Sequence, residues 1–321
     1  MEPQAKISGF AKYAWFVLAY NIVVILWGVF LRASKSGDGC GQHWLTCNGE
    51  VLPSAPELKT IIEFSHRITS SIAGLLLIVL LIWAIWRWYK QRTIQNRQTL
   101  LTAIGSFIFV VVEGLLGRSL VLTGNTAMTL TPERPFWMAG HLINTFVLLA
   151  FLSLTAWFAS GERRFGFRAD FKYLAVLVLG VMAIFLVGSS GSVAALASML
   201  FPADTLSAGF SQDFSPTSNV LLRLRLVHPV LSILTAVYLI FAAGWLSRAS
   251  GSDRNVVRWS NVLSVVVLAQ IAFGAATLLT LAPIVMQLGH LFLADAVWIA
   301  FIVLGASFLS ANSSLADGEM P

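Results

Sequence analysis

The stretch Ile61–Trp86, IIEFSHRITSSIAGLLLIVLLIWAIW, is long and apolar enough to form a helix that crosses a lipid bilayer. Its first seven residues nevertheless include Glu63, His66 and Arg67. Ionisable side chains inside a membrane-spanning helix are costly, and they usually face a bundle interior where they serve a function. The stretch therefore predicts a membrane protein with a polar site near one end of this helix.

The whole chain shares this apolar character. Of its 321 residues, 57% are hydrophobic and 11% are charged, whereas soluble domains carry about 25% charged residues. The apolar runs predict an all-α membrane protein, because each is long enough to cross the bilayer and none alternates like a barrel strand. We predict eight membrane-spanning helices, at residues 11–32, 61–86, 99–122, 136–159, 171–193, 219–246, 259–281 and 284–310.

Basic residues predict how these helices are oriented. Thirteen of the 21 lysines and arginines fall in the amino-terminal tail and in the loops after spans two, four and six. Because cytoplasmic loops are enriched in Lys and Arg, we expect a multi-pass plasma-membrane protein with both termini in the cytoplasm. No small-residue cleavage site follows the first span, so we expect it to be retained rather than removed as a signal peptide. The thirteen residues are Lys6, Lys12, Arg87, Lys90, Arg92, Arg97, Arg163, Arg164, Arg168, Lys172, Arg248, Arg254 and Arg258.

The same distribution argues against nucleic-acid binding, because the basic residues lie between apolar runs rather than along one face.

The two cysteines, Cys40 and Cys47, lie in the first outer loop within CGQHWLTC. An oxidising outer face favours a disulfide between them. The alternative is a metal site that adds His43, although no fourth ligand is visible nearby.

The second part of the chain repeats the pattern of the first. MAGHLINTF around His141 resembles QLGHLFLAD around His290, and EFSHR around His66 falls on RLVHP around His228. We therefore predict two tandem, pseudo-symmetric four-helix bundles. Each has an even number of spans, so both should have one orientation and be related by an axis along the membrane normal. The predicted halves are residues 1–160 and 171–310.

The repeat also aligns residues upstream of the Gly-His-Leu sequences. EGLLGRSLVLT at 113–123 lines up with QIAFGAATLLT at 270–280. Glu113 and Asp295 lie deep within spans, where each either joins a proton path or bonds to a neighbouring helix, and we favour the second role. The aligned pairs are Glu113 with Gln270, Gly117 with Gly274, Thr123 with Thr280 and, in spans one and five, Gly28 with Gly188.

Four of the five histidines lie in spans two, four, six and eight, which all run in one direction. Each lies roughly 8–14 Å from its helix start at the rise of an α-helix. A haem iron takes axial ligands on opposite sides of a flat ring, and imidazoles from two facing helices at one level supply them. The four residues thus predict two bis-histidine haem sites toward the outer face. A lone histidine would more often bond helix to helix, and zinc or copper lacks a repeated third ligand.

The two predicted sites differ in their surroundings. Three residues before its histidine, the amino-terminal half has Glu63 and the carboxyl-terminal half has Arg225. Residues three apart share a helix face, so each points toward the same site as its histidine. Only the amino-terminal half has the cysteine loop, so we expect one site with an acid and a covering loop and one with neither. This difference predicts one reactive site and one electron-relay site.

Arginines near the predicted sites allow two interpretations. Arg67 lies four residues after Glu63, so it either pairs with that carboxylate or binds a haem propionate through its forked donors. Arg118, Arg223 and Arg225 are further candidate propionate contacts. Snorkelling to the membrane surface is the alternative for these three arginines.

Taken together, these features resemble haem A synthase. The resemblance is carried by GCGQHWLTCNG and the EFSHR that follows it, by GHL in spans four and eight, and by VHP in span six. It covers nearly the whole chain, and the cysteine loop followed by E-x-x-H-R is its most specific part. The outer loop at 194–218 lacks the second cysteine pair that some bacterial members carry, so we expect no redox role for it.

The resemblance implies an oxidoreductase that converts the C8 methyl group of haem O into the formyl group of haem A by successive hydroxylations. It implies that His66 and His141 flank the substrate haem O. It likewise implies that His228 and His290 ligate a bound haem b and that Glu63 is a catalytic acid. Haem A would supply terminal oxidases, and a haem O-producing farnesyltransferase is a candidate partner beside an unidentified electron donor.

Two other classes of protein fit the histidine pattern. A di-haem b membrane cytochrome for quinol-linked electron transfer would hold two permanent haems. A haem carrier would exchange haem at both sites. The asymmetry of the E-x-x-H-R sequence argues against the cytochrome, and the chemical identity of the bound haem separates all three classes.

Overall fold

The computed structural model describes residues 7–126, 128–161 and 170–316, with side chains up to residue 312. Within these ranges the protein is all-helical, and an isolated bridge between Cys47 and Glu50 is its only β pairing. The helices are α1 (Gly9–Ala33), α2 (Leu58–Lys90), α3 (Ile94–Leu122), α4 (Arg134–Ala159), α5 (Phe171–Leu200), α6 (Leu206–Phe214), α7 (Val220–Ala249), α8 (Arg254–Leu279) and α9 (Ile284–Ala316).

Eight of these helices, all except α6, are long and apolar enough to cross a membrane. This confirms the predicted all-α polytopic architecture and its eight spans. Large apolar side chains are exposed along the outer faces, for example Val178, Leu179 and Met182 on α5. Such a surface is expected where lipid replaces water. The basic residues Lys6, Arg163, Arg164 and Arg168, used above for orientation, lie outside the described residues.

The largest departure from the predicted spans is in the segment 194–218, which was expected to be a loop. Helix α5 continues to Leu200, and α6 forms inside the remaining connection. The Thr205 side chain caps α6 by accepting a hydrogen bond from the Ala208 N–H at 3.1 Å. A helix of nine residues is too short to cross a bilayer, so hydropathy alone gives no signal for it.

The spans pack in the same order in two groups. In the first group α1 packs on α2, α2 on α3 and α3 on α4, and in the second α5 packs on α7, α7 on α8 and α8 on α9. Helices α4 and α9 lie where the groups meet, and 67% and 61% of their apolar segments are buried, against at most 28% in the other spans. The Trp298 ring of α9 lies 5.5 Å from the Phe146 ring of α4 at an interplanar angle of 30°, and the Trp298 indole N–H donates to the Phe146 carbonyl.

Close packing of α3 on α4 depends on a glycine. A Cβ added at Gly105 would lie 2.4 Å from Cδ1 of Phe151, whose ring stacks on Phe109 at a centroid distance of 5.5 Å. Gly114, on the same helix, is exposed and has no atom within 4 Å of a corresponding Cβ. Both glycines are therefore helical, but only Gly105 packs closely against a neighbouring helix.

We predict that Gly105→Ala destabilises the protein by about 1–3 kcal/mol, because the methyl group overpacks the interface with Phe151. Gly114→Ala is the matched control and should stabilise helix α3 by about 0.5–1 kcal/mol, because alanine restricts the unfolded chain. The measurement is the thermal unfolding midpoint of each variant in detergent micelles. Equal midpoints for the two variants would show that Gly105 has no packing role.

Candidate functional site

The four histidines of the spans lie at one level of the bundle. His66, His141, His228 and His290 follow the starts of α2, α4, α7 and α9 by six to eight residues, or about 9–12 Å along each helix axis. Because successive spans alternate in direction, these four helices begin on the same side. We call this the disulfide side, since the segment 34–57 with both cysteines is also found there.

The histidines form two pairs. The rings of His228 and His290 have centroids 6.3 Å apart and an interplanar angle of 84°. Two imidazoles bound to opposite faces of one metal, at about 2 Å per metal–nitrogen bond, place their centroids about 6 Å apart. His66 and His141 lie within electrostatic reach of each other. Both pairs join helices that begin on the same side, as the haem prediction requires.

Glycines make room for three of the four imidazoles. A Cβ at Gly28 would lie 2.9 Å from the His66 ring, and a Cβ at Gly191 would lie 2.9 Å from the His228 ring. A Cβ at Gly274 would lie 2.7 Å from the His290 ring. These close contacts with glycine let each ring lie against the backbone of the adjacent helix.

The structure corrects one aligned pair. Gly28 corresponds to Gly191, which faces His228, and not to Gly188, which faces Phe146 of α4. Residues three apart share a helix face, so the sequence repeat alone could not distinguish Gly188 from Gly191.

Ring nitrogens of the histidines have different partners. Nδ1 of His228 lies 3.0 Å from the Ser190 hydroxyl, which fixes that ring and leaves Nε2 for a ligand. Nδ1 of His66, His141 and His290 is buried and has no hydrogen-bond partner in the described part of the chain. Imidazoles with no third ligand nearby suit an iron whose other four ligands come from a macrocycle. Within the described residues no cluster of three or more His, Cys, Asp or Glu forms that could hold a metal by itself.

Glu113 lies beside His141. Its Oε1 is 3.6 Å from Nε2 of His141, and its two oxygens accept hydrogen bonds from Thr145 Oγ1 and Asn144 Nδ2, both at 2.5 Å. The predicted bond from Glu113 to a neighbouring helix is therefore confirmed. The aligned residue Gln270 has its amide nitrogen 3.5 Å from Nε2 of His290, so both aligned side chains face a histidine.

For Asp295 the corresponding prediction is wrong. Both carboxylate oxygens are buried, and neither has a hydrogen-bond partner among the described residues. The sequence gives the depth of Asp295 in α9 but does not give the side chains around it.

Glu63 connects the first histidine helix to the cysteine loop. The side chain is buried, and its Oε2 accepts a hydrogen bond from the backbone N–H of Cys40 at 2.9 Å. Its Oε1 accepts hydrogen bonds from Nε and Nη2 of Arg67 at 3.1 and 2.5 Å. The predicted ion pair between these residues is thus present, and it satisfies both charges inside the bundle.

Arg67 also holds the loop itself. Its Nη1 donates to the backbone carbonyls of His43, Trp44 and Thr46 at 2.6, 3.2 and 3.0 Å. One guanidinium therefore links Glu63 to three backbone carbonyls of the loop, using the forked geometry that distinguishes Arg from Lys.

The disulfide between Cys40 and Cys47 is present and both cysteines are buried. It excludes the alternative metal site, because each sulfur is bonded to the other. The loop lies directly on α2: a Cβ at Gly39 would lie 2.4 Å from the Lys59 carbonyl, and the Thr60 hydroxyl donates to the Gly39 carbonyl at 2.8 Å. His43 is exposed, as expected for a solvated loop residue.

The second pair of histidines has a covering segment too, which corrects the expectation that it has none. Arg225 donates from Nε and Nη2 to Oδ1 of Asp213 in α6, at 3.1 and 2.5 Å. Glu63 and Arg225 are each three residues before a histidine, and each fixes the adjacent segment on the disulfide side. The sequence missed this role because the helix α6 was not recognised.

The remaining candidate propionate contacts bind within the protein. The Arg118 guanidinium lies 5.6 Å above the Trp44 ring, and Arg223 donates to the Ser218 hydroxyl and the Pro216 carbonyl.

Two further arginines, Arg32 of α1 and Arg134 of α4, were not singled out from the sequence. Arg32 follows Gly28 by four residues, and Arg134 precedes His141 by seven, so each shares a helix face with the site. Their guanidinium groups are within electrostatic reach of each other, and Arg134 is buried. The spacings to Gly28 and His141 were the signal that could have found them.

Comparisons with known proteins agree with these features. A family model described as cytochrome oxidase assembly protein matches residues 11–302. A Halalkalibacterium halodurans protein named heme A synthase is 30% identical over 262 residues, which cover 81% of this chain and 83% of that protein. A Bacillus mycoides heme A synthase is 44% identical over 103 residues, or 32% of each chain.

Longer relatives also match. A Thermus thermophilus protein named protoheme IX farnesyltransferase is 39% identical over 306 residues, which cover 95% of this chain. The match covers 49% of that protein, so the chain spans about half the length of this relative.

We predict that Arg67→Met loosens the cysteine loop and speeds reduction of its disulfide by roughly ten-fold or more. The substitution removes hydrogen bonds to a charged group, each worth about 1.5–3 kcal/mol, and local opening then exposes the sulfurs. The rate of thiol labelling under mild reductant measures this opening. Lys59→Met is the matched control: the exposed pair between Lys59 and Asp38 at 3.7 Å should contribute little. Equal labelling rates in both variants would contradict the role of Arg67.

Proposed function

The chain belongs to the cytochrome oxidase assembly protein family, which includes haem A synthases, and from this membership we propose that it converts haem O into haem A. The observation that carries the proposal is the set of two histidine pairs at one level of the bundle, only one of which adjoins the disulfide loop and has a glutamate beside an imidazole ring. A membrane site suits a substrate with a long apolar tail.

The proposed reaction oxidises one methyl group on the macrocycle. Two successive hydroxylations give a geminal diol, which loses water to leave the formyl group. With water as the formal oxygen source, the net change from methyl to formyl releases four electrons and four protons. An external acceptor therefore has to take the electrons, and the protein has to provide a route for protons.

We assign the substrate to His66 and His141 and a resident haem b to His228 and His290. Haem b, when bound, carries single electrons to or from the substrate site. The assignment is supported by the bond between Ser190 and Nδ1 of His228, which orients one ligand of the second pair permanently. It is further supported by two carboxylates at the first pair: Glu63 is buried three residues before His66, and Oε1 of Glu113 lies 3.6 Å from Nε2 of His141.

The two-part organisation predicted above, residues 1–160 and 171–310, forms part of the proposal. The same packing order of helices in the two groups supports it. Electrons would pass between the sites across the contact of α4 and α9, where the rings of Phe146 and Trp298 lie 5.5 Å apart.

Glu63 is proposed to act as the acid of the substrate site. Its Oε2 accepts a hydrogen bond from the Cys40 N–H, and its Oε1 accepts one from Arg67. A proton taken up at Oε2 would therefore weaken the hydrogen bond between Glu63 and Cys40 of the loop. Proton transfer at Glu63 would thus be linked to the position of the cysteine loop.

Arg32 and Arg134 are proposed to bind the two propionates of the substrate haem. Two guanidinium groups within reach of each other repel, and a pair of carboxylates would relieve that repulsion. Arg67, Arg118, Arg223 and Arg225 remain candidate propionate contacts; each has another contact in this structure, as does Arg134, which donates to the Thr129 carbonyl.

The proposed location is the plasma membrane, with both termini in the cytoplasm and the haem sites toward the outer face. A haem O-producing farnesyltransferase is the proposed partner, because it would supply the substrate. The name and double length of the Thermus relative support this association.

We predict that purified protein co-expressed with a haem O-producing farnesyltransferase contains haem b together with haem O or haem A. Extraction and chromatography of the pigments measures this. Glu63→Gln should retain both haems but lower the conversion of haem O by roughly a hundred-fold, the usual effect of losing a general acid or base. Glutamine keeps an oxygen that can accept the Cys40 N–H.

Three outcomes would contradict these expectations. Two equivalents of haem b alone would indicate an electron-transfer cytochrome. Equal loss of haem from both sites would indicate a carrier. Conversion of haem O by Glu63→Gln at the wild-type rate would remove the acid role of Glu63 without affecting the rest of the proposal.

We also predict that Gly274→Ala lowers the haem b content, because the added methyl group would lie 2.7 Å from the His290 ring and displace it. Gly117→Ala changes the aligned glycine, which has no atom within 4 Å of an added Cβ, and should leave both haems bound. The haem-to-protein ratio from the pyridine haemochrome spectrum measures both. Equal ratios in the two variants would argue against His290 as a ligand.

A further inference from the structure

We propose that Glu113 makes His141 a releasable ligand, so that haem can enter and leave the first site while the second site keeps its haem. This inference rests on the proposed function and assigns a role to a residue that the reaction itself does not use. It starts from two aligned side chains, Glu113 and Gln270, that differ in what they can offer a histidine.

The two side chains approach the same ring nitrogen. Oε1 of Glu113 is 3.6 Å from Nε2 of His141, and Nε2 of Gln270 is 3.5 Å from Nε2 of His290. Both oxygens of Glu113 accept hydrogen bonds, from Thr145 and Asn144, so Oε1 faces the ring as an acceptor, whereas the amide nitrogen of glutamine donates a hydrogen. Glu113 therefore stabilises the His141 tautomer that carries its hydrogen on Nε2. Gln270 stabilises the His290 tautomer with a lone pair on Nε2.

Only the second tautomer can bind iron through Nε2. Binding at His141 requires the hydrogen to move from Nε2 to Nδ1, and Nδ1 of His141 is buried without a hydrogen-bond acceptor among the described residues. The exchange is between two forms of one neutral ring, so no net proton is gained or lost. The carboxylate thus competes with iron for Nε2, and it offers the ring a partner whenever the Fe–N bond breaks.

Hydrogen bonds fix the position of the Glu113 carboxylate beside His141. Thr145 and Asn144 each donate to one of its oxygens at 2.5 Å, and both lie within about one turn of His141 on α4. The Asn144 amide also donates to the Phe109 carbonyl on α3 at 3.0 Å. The carboxylate and the imidazole are therefore fixed relative to each other by the α3–α4 interface. The His141 side chain is also 35% exposed, which leaves a path for a ligand.

The second site has the opposite character. His228 is oriented through Nδ1 by Ser190, and His290 faces an amide donor. The contacts favour the tautomers of both rings that carry a lone pair on Nε2, so a ligand has only to displace the Gln270 amide and no hydrogen has to move within either ring, although Nδ1 of His290 is as unpartnered as that of His141 among the described residues. An enzyme that modifies one haem and retains another needs this difference, because its product has to leave.

The test exchanges the two side chains. Haem O is loaded without an oxidant, and its transfer to an excess of a soluble haem-binding apoprotein is followed by absorbance and chromatography. Glu113→Gln should slow dissociation of haem O roughly ten-fold, the lower end of effects from partners of metal-bound histidines. Gln270→Glu should speed dissociation of haem b by a similar factor. Glu57→Gln, the same change at an exposed residue, is the control and should leave both rates unchanged.

Either variant can overturn the proposal. Haem O dissociation from Glu113→Gln at or above the wild-type rate would show that Glu113 does not compete for His141. Dissociation of haem b from Gln270→Glu at the wild-type rate would show that a carboxylate at this position does not compete with iron. This second variant tests the proposal by itself if Glu113→Gln does not fold. Because no turnover is involved, these results are separate from the proposed function, which fails if wild-type protein leaves haem O unchanged under oxidising conditions.

Discussion

An imidazole inside an apolar bundle needs room for its ring and partners for both of its nitrogens, and this requirement organises the structure. Unpaired polar atoms are costly where no water reaches them. Glycines on adjacent helices supply the room for His66, His228 and His290. Three of the four rings have a buried Nδ1 without a partner in the described chain, so a ligand of these rings would bind at Nε2.

On the disulfide side, the same helix position binds the covering segment in both groups of helices. The residue three before the histidine is Glu63 in α2 and Arg225 in α7, and the two carry opposite charges. Each forms short charge-assisted hydrogen bonds to the segment above it, to Cys40 in one case and Asp213 in the other. The contact lies at the same helix position in both groups although the charge of the residue is reversed, because each covering segment supplies the complementary hydrogen-bonding group.

The difference between the sites follows from a few substitutions on a repeated plan. Glutamate at 113 and glutamine at 270 have nearly the same shape, yet one only accepts hydrogen bonds and the other also donates. Arg32 and Arg134 lie within electrostatic reach of each other on two helices of the first group. A bundle of similar helices can thus hold one group for reaction and another for electron transfer.

The sequence by itself determined the eight spans and the level of the four histidines, and it favoured a disulfide over a metal site for the two cysteines. The spans and the level of the histidines depend on local hydropathy and on helix rise, and the disulfide is favoured by an oxidising outer face. Only the tertiary structure decided that Gly191 rather than Gly188 faces a histidine, that α6 covers the second pair, and that Glu113 lies beside His141. Those contacts depend on how each helix is rotated against its neighbours, and the periodicity of one helix does not specify that rotation.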